Sequence, residues 1–262
     1  MNSLLIVFAV ALVISAVGFI MYVYFFSVGY GFSVAGIGIT LMILFRESLS
    51  PVTMIMCLLF IIYGGRLGGY LLYREMKSTN YKKLLKGESR EHVAVGVKIC
   101  IWISCAALYV CETSPVLFRL ETGKGGDTLS IIAAVIMALG IVCEMVADHE
   151  KSQAKKVDPK MFVSTGLYKF VRCPNYFGEL LLWTGVFISG LNVYSGAVRW
   201  VIALLGYIGI IYVMFSGARR LELRQDRNYG DMEAYREYVR TTPIIIPFVP
   251  IYSVKKHKWL VA

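Results

Sequence analysis

No charged side chain precedes Arg46, and only 17% of the 262 residues are Asp, Glu, Lys or Arg. A soluble domain carries about 25%, so a surface solvated on all sides is excluded. Histidine is scarcer still, and His92, His149 and His257 are too scattered to suggest a zinc site. The six cysteines, Cys57, Cys100, Cys105, Cys111, Cys143 and Cys173, show no CxxC spacing and have no nearby histidine. That pattern argues against metal or redox chemistry and for small apolar packing residues. No Walker motif and no soluble Rossmann fingerprint is present. The run Gly64, Gly65, Arg66, Leu67, Gly68, Gly69 is glycine-rich, but it sits in an apolar stretch with no preceding strand, where close helix packing accounts for it. No repeat, low-complexity tract or long linker divides the chain, which reads as one helical domain over 1–262.

What is there is apolar length. Hydrophobic residues make up 57% of the chain, and seven segments, at roughly 3–26, 28–45, 51–73, 94–116, 128–149, 176–194 and 197–218, are long enough to cross ~30 Å of hydrocarbon at ~1.5 Å per residue. The expected fold is an all-α polytopic membrane protein of about seven spans. The first segment lacks a basic leader and exceeds a signal-peptide core, so it reads as a mature helix. The net charge of +10 follows the loops, not a nucleic-acid-binding face. Most basic residues fall in 74–93 (Lys82, Lys83, Lys86 and Arg90 among them), 150–175 and 219–262, whereas the alternate loops hold only Arg46, Arg119, Lys124 and Arg199. The positive-inside rule then places the N-terminus outside and the C-terminus in the cytoplasm.

Polar chemistry is thin through residue 60 and gathers after Glu144. Within Gly166–Glu179, reading GLYKFVRCPNYFGE, stand a cation, an amide, a phenol and a carboxylate: Arg172, Asn175, Tyr176 and Glu179. Pro174 disfavours helix through Arg172 and Cys173 and suits a first helical turn, so the sixth span is expected to begin here. Glu179 then complements the positive end of a helix dipole, or binds a ligand. Upstream, Glu144, Asp148, Lys151 and Lys155 share one helical face by their spacing. Solvation of a helix end suffices for the two lysines. Glu144 lies among Ile141, Val142, Cys143, Met145 and Val146, where a carboxylate calls for a partner, and Arg66 is the proposed one. Downstream, Tyr235 and Tyr238 share a face. They suit either an interfacial helix with lipid-facing tyrosines or a lid over a cytoplasmic site.

The run GLYKFVRCPNYFGELLLWTG, with Glu144 and Asp148 before it and EAYREYVRTTPIIIPF after it, resembles the C-terminal domain of the steroid 5α-reductase family, in the branch of DUF1295 proteins. The resemblance spans roughly residues 60–250. It implies a seven-helix membrane reductase, in the endoplasmic reticulum of a eukaryote or the inner membrane of a bacterium. Such an enzyme takes NADPH from the cytoplasm and reduces a carbon–carbon double bond conjugated with a carbonyl, here in a hydrophobic small molecule or lipid. By motif matching, Asp148, Asn175 and Glu179 face the cofactor, and Tyr63 of IYGGR polarises the substrate carbonyl, with Arg66 three residues on. Tyr176 lies within the cofactor motif. Lys155, Arg172 and Arg224 offer charge to the phosphates, and Tyr238 belongs to the lid. The family's N-terminal catalytic glutamate has no counterpart, Glu47 being at the wrong separation from Tyr63. Cys173 stands where many relatives have histidine. Isoprenylcysteine carboxyl methyltransferases share an Arg-His-Pro-x-Tyr element at a helix start, matched here by Arg172, Pro174 and Tyr176, which keeps an S-adenosylmethionine-dependent methyltransferase open beside the reductase. A non-catalytic lipid-binding membrane protein is the third reading.

Overall fold

The computed structural model describes residues 2–77 and 93–261, and every regular element among them is a helix. His92, Lys82, Lys83, Lys86 and Arg90 lie outside the described residues. The longer helices are α1 (Asn2–Ser15), α2 (Val28–Leu44), α3 (Pro51–Met76), α4 (Val95–Glu121), α5 (Thr128–Val157), α6 (Pro174–Ser189), α7 (Gly196–Tyr229) and α8 (Glu233–Thr241). Six stretches among the described residues are long and apolar enough to cross a membrane: Asn2–Phe19, Tyr22–Leu44, α3, α4, α5 and α7. The chain is an all-α polytopic membrane protein. The expected sixth span, 176–194, is replaced by the 16 residues of α6, about 24 Å at ~1.5 Å per residue. Tight turns end it, with Gly190 N–H donating to the Phe187 carbonyl at 3.2 Å and Tyr194 N–H to Gly190 at 3.0 Å.

The chain divides into two compact units, one of Met1–Ala134 with Val186–Gly206, the other of Val135–Gly185 with Tyr207–Ala262. In the first unit, the expected continuous helix over 3–26 is broken. Beyond Ser15 come two single 3-10 turns, Ala16–Phe19 and Tyr22–Phe25, separated by Met21 in an extended conformation (φ −144°, ψ 128°). The Tyr109 hydroxyl takes the Phe25 carbonyl as its acceptor, a group that a continuous helix would have used internally. The start of α3 is written in Ser50, Pro51 and Thr53. The Ser50 hydroxyl accepts from Thr53 N–H at 3.2 Å, Thr53 Oγ1 accepts from Ser50 N–H at 3.0 Å, and Pro51 needs no acceptor in the first turn. Helices α2 and α3 meet through glycine, as the sequence suggests. A Cβ on Gly31 would lie 2.5 Å from Gly68 N, and one on Gly64 2.6 Å from Ala35 N. Backbone approach of this kind replaces the hydrophobic drive that lipid cannot supply.

Pro115 lies inside α4 and deprives the Cys111 carbonyl of its helical donor. The Ser114 hydroxyl donates to that carbonyl at 2.8 Å. Gly206 is packed against the same turn, since a Cβ on it would stand 2.5 Å from Cys111 O and from Glu112 N. In the last turn of α4, the fully buried Arg119 gathers the loops, donating to Ser189 O at 2.8 Å, Gly125 O at 3.0 Å, Asp127 Oδ2 at 3.1 Å and Asn192 Oδ1 at 2.6 Å. Asp127 also caps α5 through Ser130 N–H at 2.8 Å. Burial pushes its carboxyl up, but the Ser130 N–H, the Asn192 amide and the Arg119 guanidinium outweigh burial and hold it at about 2.

Candidate functional site

In the second unit α5 and α6 cross through a glycine pair. A Cβ on Gly140 would lie 2.5 Å from Leu182 N, and one on Gly178 would lie 2.7 Å from Gly140 O and 2.8 Å from Glu144 N. Residue number rises along α5 as it falls along α6, so the helices run antiparallel. The contacts nearer the start of α6 agree, with Cys143 Sγ 3.5 Å from Pro174 O and the Tyr168 hydroxyl donating to Ala147 O at 3.3 Å. Asp148 therefore shares an end of the crossing with Asn175. Pro174 is the first residue of α6, which puts Asn175 in its first turn and half-buried, while Glu179 one turn on is 5% exposed. Glu179 Oε1 accepts the Trp183 indole N–H at 3.1 Å. Glu144, also 5% exposed, is enclosed where the two helix backbones touch.

Cations surround this end. Lys151 stands within electrostatic range of Cys173, Arg224, Asp148 and Lys155, and Arg224 is exposed. Lys155 is already engaged, its ammonium donating to Pro159 O and the Tyr229 hydroxyl at 3.0 Å and to Met161 O at 2.5 Å. Arg172 is enclosed as well. Its Nη2 donates to Glu222 Oε1 at 3.0 Å and to the Tyr252 carbonyl, whereas its Nε and Nη1 have no hydrogen-bond acceptor among the described residues. Backbone bonds fix the same corner: Arg172 N–H donates to Pro243 O at 2.8 Å and Cys173 N–H to Ile244 O at 2.9 Å.

The tyrosines of α8 turn inward. The Tyr235 hydroxyl donates to Asp226 Oδ1 at 3.0 Å, and the Tyr238 hydroxyl to Tyr168 O at 2.7 Å, with the Tyr238 ring stacked on Phe162. Lipid-facing tyrosines are corrected here, because Tyr235 is 2% exposed and Tyr238 carries an intramolecular bond. Burial foremost, against the opposing pull of Arg172, holds both phenols above their ordinary range.

In the first unit, Tyr63 is fully buried on α3 and donates to the Tyr30 hydroxyl at 3.1 Å. The Tyr30 ring lies 5.1 Å from that of Tyr109. Arg66, one turn beyond Tyr63, is half-buried.

The chain matches, over residues 8–242, the family model described as "Protein of unknown function (DUF1295)". It belongs to the DUF1295 family. No curated protein and no solved structure matches the chain. The DUF1295 match takes in the second half of α1 and all of α2, which the motif resemblance left aside.

Of the residues that sequence singled out in this DUF1295 chain, the second unit holds Asp148, Lys155, Arg172, Asn175, Tyr176, Glu179, Arg224 and Tyr238, and the first unit holds Tyr63 and Arg66. Arg66 and Glu144, expected as partners, fall in different units. Tyr176 packs on α7, its hydroxyl 3.3 Å from where a Cβ on Gly217 would be. Cys173 is buried and its thiol is pushed up to about 12, chiefly by burial, so it packs as a protonated apolar group. All six cysteines are free. Among the described residues no group of three His, Cys, Asp or Glu is placed to hold a metal ion. Sequence reasoning passed over Glu112, 3% exposed within α4 and one turn from Tyr109. Its signal was available in ALYVCETSPVLF, an acid inside an apolar window.

Proposed function

We propose that the chain is a membrane-embedded reductase that uses NADPH to saturate a carbon–carbon double bond conjugated with a carbonyl, in a lipid or sterol-like enone. The observation that carries this reading is the antiparallel crossing of α5 and α6. It gives Asp148 and Asn175 a common end, ringed by Lys151, Arg172 and Arg224. Asp148, Asn175, Arg172 and Arg224 are among the positions that the motif resemblance assigns to a nucleotide cofactor.

The residues present fit such a group. Arg172 keeps two buried nitrogens with N–H bonds to spare, and exposed Arg224 adds an unburied cation, which together suit phosphate oxygens. Asn175 offers an amide for the nicotinamide end, and Glu179, held by Trp183, an acceptor for amide or ribose donors. Bound NADPH supplies the hydride. Hydride addition moves the electron pair of the conjugated alkene onto the carbonyl oxygen, and a phenol in a dry setting stabilises that charge and then gives up its proton. Tyr63, buried and bonded to a second phenol, has the required chemistry. Loop charge puts the C-terminus in the cytoplasm, where NADPH is available.

The test is binding by the purified full chain in detergent. NADPH raises its melting temperature by mass action, and Asn175→Ala, Glu179→Gln and Arg224→Gln each reduce the rise. Stabilisation by S-adenosylmethionine and not by NADPH replaces the reductase with a methyltransferase. A response to neither leaves a non-catalytic lipid-binding protein.

A further inference from the structure

Residues 247–261 carry a pattern that the proposed reductase does not use. Ile244 and Ile245 are buried, and Ile244 N–H donates to Ile251 O at 2.8 Å, closing a short loop with Phe248 near its tip. Phe248 has φ 64°, the left-handed region that glycine ordinarily fills, and its side chain is 90% exposed. A strained backbone that displays a bare aromatic ring gains nothing from the protein's own packing. The following strap is two-faced. Val254 and Leu260 are each 2% exposed and pack against Ala218, while Lys256, Lys258 and Trp259 project outward.

The strap lies along a particular stretch of α7. The Tyr212 hydroxyl donates to Trp259 O at 3.1 Å, and the two rings stack at 6.1 Å. Arg219 Nε donates to Lys255 O at 3.2 Å, and Glu222 accepts from Val254 and Lys255 N–H. Between Tyr212 and Glu222 the helix changes from IIYVMFSGA to RRLELR, the change that marks departure from hydrocarbon into water. Aromatic rings and lysines at that level are the usual anchors to a bilayer surface. Lys255 is tied to Asp226 at 3.0 Å, which leaves Lys256 and Lys258 as the outward cations.

We propose that residues 247–261 form an interfacial strap that binds anionic phospholipid, with Lys256 and Lys258 on the headgroups and Phe248 and Trp259 among the upper acyl carbons. Charge complementarity and the position beside the end of the apolar run select lipid over a protein partner. This inference is independent of the reductase reading.

The test compares phosphatidylglycerol with phosphatidylcholine on the full chain in detergent, measuring lipid retention by native mass spectrometry. Phosphatidylglycerol is retained more tightly, and Lys256→Gln with Lys258→Gln weakens it by roughly fivefold per lysine. Inorganic phosphate at matched concentration does not displace it. In bilayers, brominated lipid quenches the parent more than Trp259→Phe, and the difference shrinks in Phe248→Ser. Equal retention of the two lipids, displacement by phosphate, or a double lysine variant that keeps its preference overturns the proposal. If that variant fails to fold, salt titration of the parent decides: loss of phosphatidylglycerol preference with rising ionic strength supports the proposal, and a salt-independent preference refutes it.

Discussion

Replacing Glu222 with leucine removes a carboxylate that serves three partners at once. Oε1 accepts from Arg172 Nη2 at 3.0 Å, and Oε2 accepts from the backbone N–H groups of Val254 at 2.9 Å and Lys255 at 3.1 Å. Both side chains of the ion pair are enclosed, at 1% and 0% exposure, so water is poorly placed to replace what is lost. Leaving the guanidinium buried without its counter-charge costs about 3–5 kcal/mol. Orphaning the buried Val254 N–H costs about 1–3 kcal/mol more. These costs share a site and do not add fully, which gives a net loss of about 4–6 kcal/mol, a large part of what typically holds a folded chain together.

The double variant separates the causes. Arg172→Met with Glu222→Leu removes both charges, and an apolar pair of similar volume is often neutral or better than the ion pair. The backbone donors of Val254 and Lys255 then remain unsatisfied, at about 1–3 kcal/mol, together with the Tyr252 carbonyl that Arg172 had bonded. Two measurements follow the cycle in detergent: melting of the full chain, and the rate of tryptic cleavage at Lys255, Lys256 and Lys258, which reports release of the C-terminal strap. Glu222→Leu and Arg172→Met each lower the melting temperature and hasten cleavage, and the double variant recovers most of the loss. A Glu222→Leu effect within the ±0.5 kcal/mol of a surface change, or a double variant equal to the sum of the singles, refutes the argument that this pair clasps the strap.

Two further outcomes follow from charge. Asp127 is held at about 2, below the ordinary ~3.9 of a free aspartate, so its bonds to Ser130 N–H, Asn192 and Arg119 stabilise the chain fully above the unfolded value and that contribution is lost as pH falls from about 4 through about 2; a melting profile over this range falls more steeply for the parent than for Asp127→Asn, and parallel profiles count against the network. A reporter fused after the last residue registers the cytoplasm, following the basic bias of the loops, and an external signal reverses the assigned orientation.

The sequence carried the elements whose cause is local. Apolar length marked the spans, Pro174 marked the start of α6, and the glycines of 64–69 marked a close helix crossing, realised against Gly31 and Ala35. What it hid depends on partners far along the chain. The break after Ser15 is coupled to Tyr109, which takes the Phe25 carbonyl, and no window around residue 20 contains that hydroxyl. Tyr235 and Tyr238 looked amphipathic because their acceptors, Asp226 and the Tyr168 carbonyl, are set by how α8 folds back. Arg119 reads as a loop charge in sequence, whereas four acceptors from two stretches, 125–127 and 189–192, enclose it. Glu112 is legible by the same rule as Glu144, an acid inside an apolar window.

The motif from Gly166 to Glu179 divides into residues that hold the fold and residues free to meet a ligand. Arg172 clasps Glu222 and the strap, Cys173 is a packed thiol, and Tyr168 anchors both α5 and α8. Asn175 is half-buried at the start of its helix, and Arg224 is exposed nearby. A motif that serves folding and binding together misleads any experiment that substitutes its most distinctive residue. Loss of NADPH binding in an Arg172 variant follows from the release of the Glu222 clasp whether or not the guanidinium touches a phosphate. Arg224 is exposed and stands within electrostatic range of Lys151, so removing its charge tests the proposed cofactor contact without releasing the Glu222 clasp.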